Sequence, residues 1–195
     1  MKTRLIVSPI LVIALLLPAS IASGAVAATG AKAIPLSPPA NDAFANAVII
    51  GSTPHSTTQD VSEATPNDPL ELDPTDPQFP AGCGAASGGY GWRTVWYQYT
   101  GGTEPSLRVD TFDSDYDTIL AVWTGSQPTL TSVACSDDDP FGLGGDDGAV
   151  EFAVSQGTTY YIEVAAFSAV DPANTMHLNL GNVLERIYLP VVLDN

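Results

Sequence analysis

The sequence predicts an all-β protein, an antiparallel jelly-roll-like β-sandwich of about seven to nine strands, and three observations lead there. From Trp92 onward, apolar and polar residues alternate with period two in one run after another. The runs are short and are broken by Gly, Pro, Asn and Asp. No helical period of useful length follows the N-terminal apolar stretch.

The elements follow in chain order. In "NDAFANAVII", Asn41 or Asp42 is placed to cap one short helical turn, and Val48 to Ile50 starts a strand. His55 to Val61 reads as a second, polar strand. Residues 62–91 hold five prolines and five glycines, which marks a long loop, either functional or a variable surface insertion, with the insertion favoured. "TVWYQYT" then turns Val95, Tyr97 and Tyr99 one way and Trp96 and Gln98 the other. "SLRVDTF" sets Leu107 and Val109 against Arg108 and Asp110. "DTILAVWTG" is more fully apolar and reads as a central strand. "LTSVACS" follows, and "AVEFAVS" alternates at Val150, Phe152 and Val154. "TTYYIEVAAF" places Tyr160, Ile162 and Val164 opposite Tyr161 and Glu163, and "TMHLNLGN" sets Met176, Leu178 and Leu180 against His177 and Asn179. The expected inward set is Val95, Leu107, Val109, Ile119, Phe152, Ile162, Val164 and Leu178.

The ends read differently. Lys2 and Arg4 precede the unbroken apolar run Ile10–Leu17, and small residues close it at Ala25-Val26-Ala27. That is the order of a secretory signal peptide over residues 1–27, and eight apolar residues are too few to span a bilayer, which takes about 20. Residues 28–40, "ATGAKAIPLSPPA", read as a linker, 41–182 as the sandwich and 183–195 as a C-terminal tail. The apolar run Ile187–Leu193 in that tail is interrupted by Pro190 and is read either as an edge strand or as a sorting or attachment signal.

Composition narrows the function. The formal net charge is −16, and it becomes −18 without residues 1–27, because Lys2 and Arg4 leave and no acid does. Such a surface repels nucleic acid and anionic lipid and attracts divalent cations. Cys83 and Cys135 are the two cysteines, and export makes a disulfide between them the expected state, closing a loop of about 53 residues.

The acids are not spread evenly. Asp113, Asp115 and Asp117 stand at the mouth of the apolar strand, Asp137, Asp138 and Asp139 follow Cys135, and Asp146 and Asp147 make a third acidic turn. The D-x-D-x-D spacing begins like an EF-hand loop, but Thr118 stands where that loop needs Gly and Thr124 where it needs Glu. Hard oxygens from two or three loops suit calcium, which accepts 6–8 ligands in flexible geometry. The alternative is solvated turns, where Asp is favoured because it hydrogen-bonds its own backbone.

Five motifs taken in order resemble the bacterial pre-peptidase C-terminal domain family: "NDAFANA" at Asn41–Ala47, "TVWYQYT" at Thr94–Thr100, "DTFDSDYDTILAVWTG" at Asp110–Gly125, "VACSDDD" at Val133–Asp139 and "GTTYYIEVAAF" at Gly157–Phe167. The resemblance covers about residues 41–182. It implies a compact β-sandwich, usually appended to secreted hydrolases and not itself catalytic. Some members bind collagen or polysaccharide, and some of those bind calcium. Tyr116-Asp117 is also similar to the Tyr-Asp pair that helps hold calcium in CUB domains, another jelly roll.

No G-x-S-x-G elbow and no H-E-x-x-H occurs, and the two histidines, His55 and His177, fall on polar segments. The chain is therefore expected to be a secreted or cell-surface, non-catalytic binding module. Its expected partner is an extracellular polymer, protein or polysaccharide, or a cell-surface component, with no nucleic-acid partner and no membrane span in the mature chain. A self-associating structural protein of the cell envelope is the alternative. Trp92, Trp96, Tyr97, Trp123 and Tyr161 are the aromatic candidates for stacking on such a ligand, with core packing as their other reading.

Overall fold

The computed structural model describes residues 37–66, 79, 80, 83, 91–143, 145–169 and 174–183. The stretches read as signal peptide and most of the linker, the greater part of the 62–91 stretch and the tail beyond Val183 lie outside the described residues. Among the described residues nine strands form: β1 (Val48–Ile50), β2 (His55–Asp60), β3 (Trp92–Thr100), β4 (Ser106–Asp110), β5 (Thr118–Thr124), β6 (Thr131–Ser136), β7 (Ala149–Ala153), β8 (Thr159–Ala166) and β9 (Thr175–Asn182). They make a five-stranded sheet in the order β1-β3-β8-β5-β6 and a four-stranded sheet in the order β2-β9-β4-β7. Every pairing is antiparallel except β1 with β3, which is parallel. The protein is an all-β sandwich, as its alternation predicts.

The expected helical turn is a single 3-10 turn at Phe44–Asn46 with Ala43 in the capping position and no side-chain cap. Neither Asn41 nor Asp42 caps it. Asn41 Nδ2 donates to the Trp96 carbonyl at 3.0 Å, and Asp42 accepts from the Thr65 backbone N–H and hydroxyl, each at 2.7 Å. Both side chains tie the segment before β1 to its neighbours, which satisfies more distant buried groups than a one-turn helix offers.

The main core lies between the sheets. Val95, Tyr97, Leu107, Val109, Leu120, Val122, Phe152, Ile162, Val164, Met176, Leu178 and Leu180 all pack there. Ile119 corrects the expected inward set: it is fully buried but belongs to a second apolar layer on the opposite face of the five-stranded sheet. That layer joins it to Trp96, Ala121, Trp123 and Ala165, beneath Phe79 and Cys83. A strand buried on both faces carries no polar alternation by which to assign one of them. Gly91 marks how closely the covering segment approaches, since a Cβ there would stand 2.2 Å from the Ala165 Cβ and 2.9 Å from Phe79.

The disulfide forms as expected. Cys83 is fully buried in the second layer, and Cys135 sits on β6 at the sheet edge, with 5.6 Å between their Cα atoms. The bond fastens part of the insertion to the outer face of the five-stranded sheet. Phe79 and Cys83 therefore share one core with the sheet, where Trp96 and Trp123 are buried and do not offer a surface platform.

Candidate functional site

Two threonines bring the acidic loops together. Thr111 and Thr118, both fully buried, share a hydroxyl–hydroxyl hydrogen bond. The Gly148 N–H donates to Thr118 Oγ1 at 2.8 Å, and Thr111 Oγ1 donates to the Gly148 carbonyl at 3.1 Å. The loop after β4 and the loop before β7 are thereby fixed side by side. Within this arrangement the Asp113 N–H donates to Asp147 Oδ2 at 3.2 Å, and Asp115 Oδ1 accepts from the backbone N–H groups of Asn174 and Thr175, both at 3.0 Å. Ser114, Asp115, Tyr116, Asp117, Asp146 and Asp147 line an open depression of about 330 Å³.

The electrostatics divide these acids. Burial raises the Asp147 carboxyl, and the charges of Asp113, Asp110 and Asp146 add to that against the Asp113 N–H bond, so it stands at about 6. Burial also works against the charge on Asp115, but the N–H donors of Thr175 and Asn174 hold it below its ordinary value. Asp113 itself adopts a left-handed backbone, φ 73°, a conformation that Asp tolerates better than most residues.

The remaining predicted acids go elsewhere. Asp139 turns back on its own loop, accepting from the Phe141 and Leu143 N–H groups, and faces Arg108 Nη2 at 3.5 Å. Neither Asp137 nor Asp138 lines the depression. Among the described residues no three His, Cys, Asp or Glu side chains group closely enough to hold a metal ion. The eight aspartates do not fit a ready-made calcium shell as they stand.

The Asp147 carboxyl has a consequence for stability. Its folded value lies above its unfolded value of 3.8, so its contribution is fully present below the unfolded value and is lost as pH rises through about 6. Asp147→Asn is therefore expected to raise the melting temperature at about pH 8 and to leave it nearly unchanged at about pH 4. Melts of both proteins across that range check it, and an Asn effect independent of pH would contradict it. Calcium added to the wild-type melts, against magnesium and chelator controls, reads whether the cluster takes a cation. No calcium-specific shift leaves solvated turns.

A second assembly covers the outer face of the four-stranded sheet. Ser56 Oγ donates to Asn179 Oδ1 at 2.8 Å, and Asn179 Nδ2 donates to Asp110 Oδ1 at 2.9 Å. Asp110 Oδ2 lies 3.5 Å from Arg108 Nε, and Arg108 reaches on to Asp139. The guanidinium is buried against the rings of Phe141, at 4.2 Å, and Phe112, at 5.1 Å. One row up, Thr58 Oγ1 and His177 Nδ1 are 3.1 Å apart. This polar row crosses from β2 through β9 to β4, because the outward positions of the three strands fall in register.

Sequence reasoning missed this row and missed Glu163. Glu163 alternates outward on β8 but is fully buried in the second layer, where Trp123 Nε1 donates to its Oε2 at 2.9 Å. The available signal was the set of aromatics flanking it on three strands, Trp96, Trp123 and Tyr161. Of the aromatic candidates, Trp96, Tyr97 and Trp123 are buried, while Trp92 and Tyr161 are half-buried.

No family model matches the chain, and no curated protein matches it. Among solved structures it is similar to CorA, a surface-associated copper-binding protein important in copper acquisition by Methylomicrobium album BG8. The TM-score is 0.42 with 10% sequence identity, over 70% of this chain and 97% of that one. A likeness at this level carries no functional argument.

Proposed function

We propose that the protein is a secreted, non-catalytic β-sandwich module, of the pre-peptidase C-terminal kind, that binds an extracellular polymer or a cell-surface component. The observation that carries this reading is the outer face of the four-stranded sheet. There hydroxyl, amide and carboxylate groups are held in a hydrogen-bonded row running from Ser56 through Asn179 to Asp110. Side chains ordered before a ligand arrives lose little entropy on binding, which suits a face that meets a long, repetitive partner. The Cys83–Cys135 disulfide supports an oxidising compartment. Among the described residues no helix is long and apolar enough to cross a membrane. His177 stands beside the Thr58 hydroxyl, which supports a structural role for that histidine.

A specific observation favours a second reading, self-association. β1 ends the five-stranded sheet with Ile49 71% and Val48 41% exposed, an apolar edge of the kind that pairs with another strand. Sedimentation velocity of the mature chain, with and without Ile49→Lys on that edge, separates the two. The binding reading expects a monomer at all concentrations. Assembly that grows with concentration and vanishes with the charge at position 49 would favour the structural reading instead.

A further inference from the structure

The geometry points to a glycan-binding groove on the outer face of β2 and β9, floored by Gly181 and walled by Pro54, Ser56 and Asn179. This rests on the polymer-binding reading above and names the polymer class and the place.

Gly181 is the observation from which it starts. A glycine within a strand weakens it and marks either a tight backbone conformation or a close approach. Neither applies inside this fold. Gly181 does not have a left-handed φ, and among the described residues a Cβ built there meets only the Pro54 Cβ, at 3.8 Å, an ordinary contact. Gly91, where a Cβ would collide with Ala165, shows what a glycine required by packing looks like. What the missing side chain does at position 181 is leave space. Pro54, His55, Ser56, Asn179, Leu180 and Asn182 surround it in a half-open groove of about 310 Å³. That is at the lower end of the roughly 300–1,000 Å³ of small-ligand sites.

The chemistry of the walls selects the ligand. The groove lies over the face of two paired strands, whose backbone groups are spent on the β2–β9 ladder. A ligand there is recognised by side chains, not by strand addition. Those side chains are a hydroxyl and an amide already oriented: Ser56 donates to Asn179, and Asn179 donates onward to Asp110. The Ser56 oxygen remains an acceptor, and the second N–H of the Asn179 amide remains a donor. Alternating neutral donors and acceptors match the hydroxyls of a sugar, and the Pro54 ring offers an apolar wall to its C–H face. On the β4 side, Gly181 pairs with Arg108. The net charge of −16 disfavours acidic polysaccharides, which leaves a neutral glycan.

The test is retention of the oxidised mature protein on insoluble cellulose, chitin and β-1,3-glucan, with fibrillar collagen as the protein arm. Gly181→Phe fills the groove on a strand position that accepts an aromatic residue, and Ser56→Ala removes one polar wall. Ser132→Phe, on exposed β6, is the control for a new surface aromatic. The expected result is retention on at least one glycan, weakened about tenfold or more by Gly181→Phe, less by Ser56→Ala and unchanged by Ser132→Phe, with the melting temperatures alike. Glycan retention unaffected by Gly181→Phe would overturn the groove while leaving the polymer-binding reading intact. Retention on collagen alone would overturn the glycan class. Retention on none of the four would overturn both.

Discussion

Replacing Ile162 by Ala will destabilise the sandwich by about 2–5 kcal/mol, a loss large enough to unfold a marginal domain at moderate temperature. Ile162 is fully buried, on β8 at the middle of the five-stranded sheet, with Tyr97 beside it on β3 and Val122 on β5. Its side chain points between the sheets, where Phe152, Met176 and Leu178 belong to the same core. Truncation removes buried methyl and methylene groups and leaves a cavity that two hydrogen-bonded neighbours prevent from closing. Urea unfolding of the two proteins measures the loss. Ile49→Ala, at a position 71% exposed, is the contrast and should change stability by less than about 0.5 kcal/mol. A similar small change at Ile162 would mean that the packing between the sheets is not as described.

Breaking the disulfide is the second large effect. Cys83→Ala with Cys135→Ala is expected to cost about 2–5 kcal/mol. The two cysteines are 52 residues apart, so the bond restricts a long loop of the unfolded chain, and in the folded chain it holds Cys83 over Trp96 and Trp123. Loss of the bond should therefore do two things. It should lower the midpoint of unfolding, and it should shift tryptophan emission to the red as water reaches the second layer. Unchanged emission together with an unchanged midpoint would show that the apolar layer is held without the bond.

How much of this was legible in the sequence follows from where each strand lies. β7 and β9 alternate between buried and more open positions, so Phe152 and Leu178 could be assigned by alternation alone, and on β3 and β8, buried on both faces for part of their length, the polar Gln98 and Glu163 still break the apolar run and mark the face opposite Val95 and Val164. β5 is buried on both faces, and Ile119 was assigned to the wrong one for that reason. Glu163 was read from its alternation as a residue of the outward face. Its burial depends on the second apolar layer, in which Phe79 and Cys83 lie with Trp123, and local pattern does not report it. The acidic turns were visible as composition. Composition did not show that Asp115 would be used to cap Asn174 and Thr175, or that Asp139 would turn to Arg108. The polar row of Ser56, Asn179 and Asp110 joins residues 123 and 69 positions apart, and only the strand register brings them together. Gly181 was visible as a glycine in a strand, but its meaning required knowing that among the described residues a side chain there would meet Pro54 at no closer than an ordinary 3.8 Å.

The central claim, that this sandwich is a binding module for an extracellular polymer, is tested most directly by a depletion isotherm of the oxidised mature protein on an insoluble polymer. The polysaccharides and collagen named above serve as the solid phases, with loss of protein from solution read as its concentration rises. The account predicts saturable depletion on one polymer class by a protein that sediments as a monomer and releases no soluble product. Depletion that never saturates on any of them, or a soluble product released with turnover, would contradict it.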